Sequence, residues 1–193
     1  MGRMPLLDGI LKILDEKGPL SISSLCNEAN GLLSSGKPSV HPSDVKSVLS
    51  RKNELFLFYN GTISIKPEKQ PVLLRAYSEQ PGRNAYLLKV NFIKGFFTYV
   101  EWRDKEFPAI KDIQTKKRPG SVPDFKTSLY RTQIWSWDKN YLKDKGIVLD
   151  GNSWSVSLQT KSLTYECSGI GHYPEQWAAF CMAIQKLTGA PFR

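Results

Sequence analysis

An α+β fold in two unlike modules is predicted by three features of the sequence. Three short stretches before residue 53 carry apolar residues at helical spacing, and an Asn-Gly dipeptide between two β-rich runs follows them. A longer series of β-rich runs then ends in one amphipathic stretch. The length agrees, because 193 residues exceed the commonest single-domain size of about 100 to 150. Hydrophobic residues at 40% and charged residues at 23% make a chain that buries a core.

The first stretch repeats Leu6, Leu7, Ile10, Leu11 and Leu14, carries Lys17 in its last turn and stops at Gly18-Pro19. Ser21 or Ser23 would cap a second short helix around Ile22, Leu25, Cys26 and Ala29 that ends at Asn30-Gly31. After the polar loop Ser34-Ser35-Gly36-Lys37-Pro38, Pro42 stands where a helix accepts proline in its first turn. Val45, Val48 and Leu49 give that third helix one apolar side. Leu55 to Tyr59 and Thr62 to Ile65 then flank Asn60-Gly61, whose preference for positive φ suits a two-residue hairpin turn. Three helices and a hairpin in this order describe a winged helix over residues 1–66.

Several residues resemble one branch of that fold. They are Pro-Leu after the first helix, Gly36-Lys37-Pro38 before the third, the Val45-x-x-Val48-Leu49 helix, and its continuation into Phe56, Asn60-Gly61 and Ile63-Ser64-Ile65. Over about residues 5–66 the chain resembles the HARE-HTH group. The resemblance implies a module of a kind found in polymerase subunits, chromatin-linked proteins and restriction-associated proteins, whose LOTUS-like relatives bind RNA or proteins. It rests on core and turn positions and therefore speaks for fold before ligand.

Residues 67–83 read as connector and lead-in, with Lys66-Pro67-Glu68-Lys69-Gln70-Pro71 breaking the apolar pattern, Val72 to Tyr77 belonging to either module, and a turn-rich interval from Ser78 to Asn84. Residues 84–193 read as a small antiparallel-sheet domain closed by a C-terminal helix. Tyr86 to Phe92 and Phe96 to Trp102 form a hairpin over Ile93-Lys94-Gly95. Arg103 to Lys126 reads as a long basic loop containing Lys116, Lys117 and Arg118. Sheet signals resume at Ser128 to Trp137, pause over Asp138 to Lys145, and continue through Ile147 to Leu149 and, past an Asp150-Gly151 turn, Trp154 to Leu158. Leu163, Tyr165 and Cys167 alternate along a half-buried strand that ends at Gly169-Ile170-Gly171. Pro174 and Glu175 would open a helix that buries Trp177, Phe180, Cys181, Ile184 and Leu187. From Asp150 to Leu187 the pattern also loosely resembles small bacterial domains of unknown function, a resemblance that implies no activity.

A net charge of +9 favours an anionic partner, nucleic acid first. The excess is uneven: residues 1–66 hold 8 Lys and Arg against 6 Asp and Glu, whereas residues 67–193 hold 19 against 12. No apolar run approaches the roughly 18 to 20 residues of a membrane span, and Met1-Gly2-Arg3-Met4 does not open a secretory signal, so a cytoplasmic protein without membrane contact is expected. Three cysteines, Cys26, Cys167 and Cys181, suit buried thiols better than a disulfide framework.

If the third helix enters a major groove, its outward residues Ser43, Lys46, Ser47, Ser50 and Arg51 face the bases, while Lys52 and Asn60 at the wing tip reach phosphates. Lys116, Lys117 and Arg118 add a second basic cluster. The alternative is that the same cations solvate an exposed helix and the chain is a protein-interaction adaptor, its winged helix docking on a protein and its basic loop meeting an acidic partner, which the first module's net charge of only +2 favours. Neither metal nor cofactor is expected: Cys167, His172 and Cys181 lack paired ligand spacing, and there is no nucleophile elbow or phosphate-binding glycine loop. Two weaker chemical readings remain. One is an anion seat at Gly169, Gly171 and the helix opening at Pro174. The other is a nuclease-like Asp150 with Gln159-Thr160-Lys161, which reads more simply as hairpin turns. The five tryptophans, with Trp135 and Trp137 on one strand face, would either pack the core or stack unpaired bases.

Overall fold

The computed structural model describes residues 5–33, 39–103, 120–142 and 151–192. The chain is α+β and divides into two compact units, residues 1–70 and 71–193.

The first unit opens with α1 (Leu6–Lys17), whose Ile10, Leu11, Ile13 and Leu14 are buried, and which closes where Gly18 donates its N–H to the Leu14 carbonyl at 3.1 Å. Leu20 and Ile63 then exchange backbone hydrogen bonds of 3.0 and 2.7 Å as one antiparallel bridge. In α2 (Ile22–Leu33) the Ser21 hydroxyl accepts the Ser24 N–H at 3.1 Å. Asn30-Gly31 does not end this helix. It lies inside it, because the Asn30 amide is engaged elsewhere, accepting the Val40 N–H at 2.6 Å and donating to the Val40 carbonyl at 3.1 Å. Next come α3 (Pro42–Arg51) and the hairpin β1 (Phe56–Tyr59) and β2 (Thr62–Ile65), with Asn60 at φ 45° and Gly61 at φ 73° in its turn. Residues 34–38 lie outside the described residues.

The second unit begins one element earlier than the sequence implies. Residues 71–79, assigned to the lead-in, form β3 (Pro71–Glu79), a central strand bonded on both edges. With β4 (Ala85–Asn91), β5 (Phe96–Trp102), β6 (Asn140–Tyr141), β7 (Ser153–Thr160) and β8 (Thr164–Ile170) it makes a six-stranded sheet of order β5-β4-β3-β7-β8-β6. All pairings are antiparallel except β6 with β8.

Ser128 to Trp137 is not a strand. Its first half belongs to α4 (Val122–Thr132), followed by a 3-10 turn at Ile134–Ser136. The β-rich composition loses to the local start signals: the Ser121 hydroxyl accepts the Asp124 N–H at 3.3 Å, and Val122, Phe125, Leu129 and Thr132 fall on one buried stripe. Helix α4 thus takes up residues 122–126 of the expected basic loop, whose residues 104–119 lie outside the described residues, as do residues 143–150. Trp135 and Trp137 therefore share no strand face. Trp137 is buried and donates its indole N–H to the Thr132 carbonyl at 2.9 Å, while Trp135 is half-buried with its ring 5.9 Å from that of Tyr130. The last helix, α5, spans Trp177–Thr188 and not Pro174 onward: the buried Pro174 accepts the Trp177 N–H at 3.0 Å in a turn before it.

Phe125 and Leu129 of α4 join Phe180, Ile184 and Leu187 of α5 in one core with the sheet's Leu74, Ala76, Leu88, Val90, Trp154, Val156 and Leu158. The sheet positions between these, on the opposite face, include the exposed Leu73, Arg75, Lys89, Phe96 and Glu166.

Candidate nucleic-acid interface

Helix α3 exists because proline fixes its first turn and because Asp44 reaches back to accept the His41 N–H at 3.0 Å, satisfying an amide the helix leaves open. Val45, Val48 and Leu49 hold it to the core. That anchoring turns Ser43, Lys46, Ser47, Ser50 and Arg51 outward, and all five are exposed. Their spacing of three, four, seven and eight residues makes a single stripe.

Arg51 and the positions beyond the helix differ in how they are held. Arg51 donates Nε–H to the Ser47 carbonyl at 3.2 Å, which lays its guanidinium along the helix. Lys52 is half-buried and lies 3.7 Å from Glu54, so part of its charge is already answered. Asn60 is exposed at the hairpin tip, where its φ of 45° and the 73° of Gly61 bend the chain in a conformation asparagine and glycine tolerate. Lys116, Lys117 and Arg118 lie outside the described residues.

Sequence reasoning missed the hairpin's outer surface. Leu57, Phe58 and Tyr59 are 44%, 54% and 70% exposed, enough to offer a contact surface. The signal was present in the unbroken run Leu55 to Tyr59: a two-stranded ribbon covers at most alternate side chains, so five apolar residues in succession leave some outside.

Gly169 is an interior β8 residue whose missing side chain makes room for an indole, since a Cβ there would sit 2.7 Å from Trp154 Nε1 and 2.8 Å from the His172 carbonyl oxygen. That close packing, not the approach of an anion, accounts for the glycine. Gln159 near the end of β7 and Lys161 in the β7–β8 turn are both exposed, while Asp150 lies outside the described residues. No three His, Cys, Asp or Glu side chains among the described residues are grouped to hold a metal ion.

The cysteines are held as thiols. Burial pushes Cys167 up to about 11 and Cys181 up to about 12 from an ordinary value of 9.0, and it also raises Cys26, with Asp44 adding to the shift. The sign fixes a pH window. Below about pH 9 both folded and unfolded chains keep these groups neutral, whereas above it the unfolded chain ionises first and stability falls toward pH 11. Urea melts should therefore show constant stability from pH 7 to 8.5 and a decline from pH 9 to 11 that Cys167→Ala and Cys181→Ala reduce. A decline unchanged in the double variant would assign it to other groups.

No protein-family model matches the chain, and no curated protein or solved structure matches it. No helix among the described residues is long and apolar enough to cross a membrane.

Proposed function

We propose that the first unit is a winged helix that binds nucleic acid, duplex DNA before RNA, in transcription regulation or DNA-linked defence. The observation that carries the reading is the outward stripe of α3, with three serine hydroxyls, Lys46 and Arg51 exposed on the face opposite Val45, Val48 and Leu49. Hydroxyls and cations are the groups that contact phosphates and base edges when a helix lies in the major groove. The Leu20–Ile63 bridge supports the same reading, because it ties the hairpin to the segment between α1 and α2. The role is binding, with no reaction of its own.

Anisotropy of labelled duplex DNA, single-stranded DNA and RNA tests this. Lys46→Ala/Arg51→Ala is expected to weaken duplex binding roughly tenfold or more and to reduce the salt slope by about 2, one for each lost phosphate contact. Absence of salt-sensitive binding to all three probes would overturn the proposal.

A second reading, a protein-interaction adaptor, is favoured by the exposed Leu57, Phe58 and Tyr59 and by the module's small net charge. Co-purification with one defined protein that survives nuclease treatment and is lost in Phe58→Ser/Tyr59→Ser would select it.

A further inference from the structure

We infer that the open face of the second unit's sheet binds single-stranded nucleic acid, with its phosphates held at the cross-strand pair Arg75 and Lys89. This site shares no residue with α3 and stands or falls separately from the proposal above.

The strand register places Thr98, Lys89, Arg75, Ser157 and Glu166 in one row across β5, β4, β3, β7 and β8. Arg75 and Lys89 are direct partners in that row, both are exposed, and neither makes an ion pair among the described residues. Like charges directly opposite on neighbouring strands repel and weaken a sheet. An anion seated between them removes that repulsion, and the hydroxyls of Thr98 and Ser157 on either side supply further donors. Guanidinium, ammonium and flanking hydroxyls together match the oxygens of a phosphate.

The row two residues along, about 6.6 Å away, has different chemistry. It runs Phe96, Asn91, Leu73, Gln159 and Thr164, with Phe96 52% and Leu73 39% exposed. A solvent-facing ring is a stacking surface for an unpaired base, and amide side chains pair with base edges. Asn91 Oδ1 already accepts the Lys94 N–H at 2.8 Å, leaving the amide's donors for a ligand.

Two hollows of about 390 and 440 Å³ lie on this face and share Arg75 and Ser157, so they are halves of one groove. The groove reaches from Phe96 on β5 to Asn140 on β6, and its second half brings in a further cation, Lys139. Six strands at about 4.8 Å spacing span about 24 Å, more than one nucleotide occupies. Among the lining residues Arg75, Lys89 and Lys139 face one carboxylate, Glu166, so the groove complements a phosphate chain. Stacking on Phe96 requires a base free of its partner, which selects a single strand over a duplex.

The decisive variant is Lys89→Glu in the full chain, because it turns the repelling pair into an attracting one and so preserves the fold while removing the anion seat. Anisotropy with labelled dT12 and U12 is expected to show a tenfold or greater loss for Lys89→Glu. Phe96→Ala should lose several-fold with an unchanged salt slope, and Lys46→Ala/Arg51→Ala should show no loss. The melting temperature of Lys89→Glu should equal or exceed that of the unaltered chain. No saturable dT12 or U12 binding, binding that Lys89→Glu leaves intact, or displacement of the oligomers by free mononucleotide at equal concentration would each overturn the inference.

Discussion

Replacing Phe56 with alanine will destabilise the first unit by about 3–5 kcal/mol and weaken the duplex binding proposed for it, while the second unit keeps its stability. Phe56 is 2% exposed, begins β1 and pairs in register with Ile65, which is 1% exposed. It belongs to a small buried set with Ile10, Leu25, Val45 and Ile63. Truncating a buried phenylalanine costs about 3–5 kcal/mol, whereas a unit of 70 residues has a total stability of roughly 3.5–10 kcal/mol. A loss of that size takes a large share of the stability that holds the scaffold turning the α3 stripe outward. The probes separate cleanly, since all five tryptophans, from Trp102 to Trp177, lie in the second unit. The urea transition followed by helical circular dichroism should move to lower denaturant, and duplex affinity should fall with the fraction of the unit left folded. The tryptophan fluorescence transition in urea should keep its midpoint. A midpoint that moves with the variant would mean that the two units unfold as one.

The first unit was largely legible because its signals are local. Pro42 at a helix start, Gly18 at a helix end and Asn60-Gly61 at a turn each dictate backbone geometry within a few residues, and the structure has a helix or turn at each. The outward residues of α3 followed from its apolar stripe alone. Where local and distant signals compete, the sequence misleads. Asn30 looks like a helix stop, yet its amide bonds to Val40, ten residues on, and the helix runs through it. Tyr130, Thr132, Ile134 and Trp135 have the composition of a strand, but a serine cap and a core stripe make α4 and the turn after it. The open sheet face was invisible for a different reason. Arg75 and Lys89 are 14 positions apart, and only the β3–β4 register makes them neighbours. No periodicity within either strand reports which residues stand opposite, so a site assembled across strands is read only from pairing.

Gly169→Ala will cost the second unit about 1–3 kcal/mol or more, and the cost will depend on Trp154. Trp154 is 2% exposed, donates its indole N–H to the His172 carbonyl at 2.7 Å, and has the Trp177 ring at 4.5 Å and the Trp137 ring at 6.2 Å. A methyl group on residue 169 meets the indole Nε1 at 2.7 Å and Cε2 at 2.8 Å, and it also meets the His172 carbonyl oxygen at 2.8 Å. The ring has nowhere to retreat, because it is closed in by other aromatic rings, and close-packed interiors resist added volume. Trp154→Phe alone leaves the His172 carbonyl without its donor and so costs about 1–3 kcal/mol. In the double variant the smaller ring admits part of the methyl, so the combined loss should be less than the sum of the single losses by more than about 0.5 kcal/mol. Urea melts followed by circular dichroism measure all four corners without relying on the altered tryptophan. Additive losses would mean that the His172 backbone alone excludes the side chain. The same series tests the groove: Ser168, next to Gly169 on β8, lines it on the opposite face, so a methyl that displaces β8 should weaken dT12 binding in proportion to the lost stability.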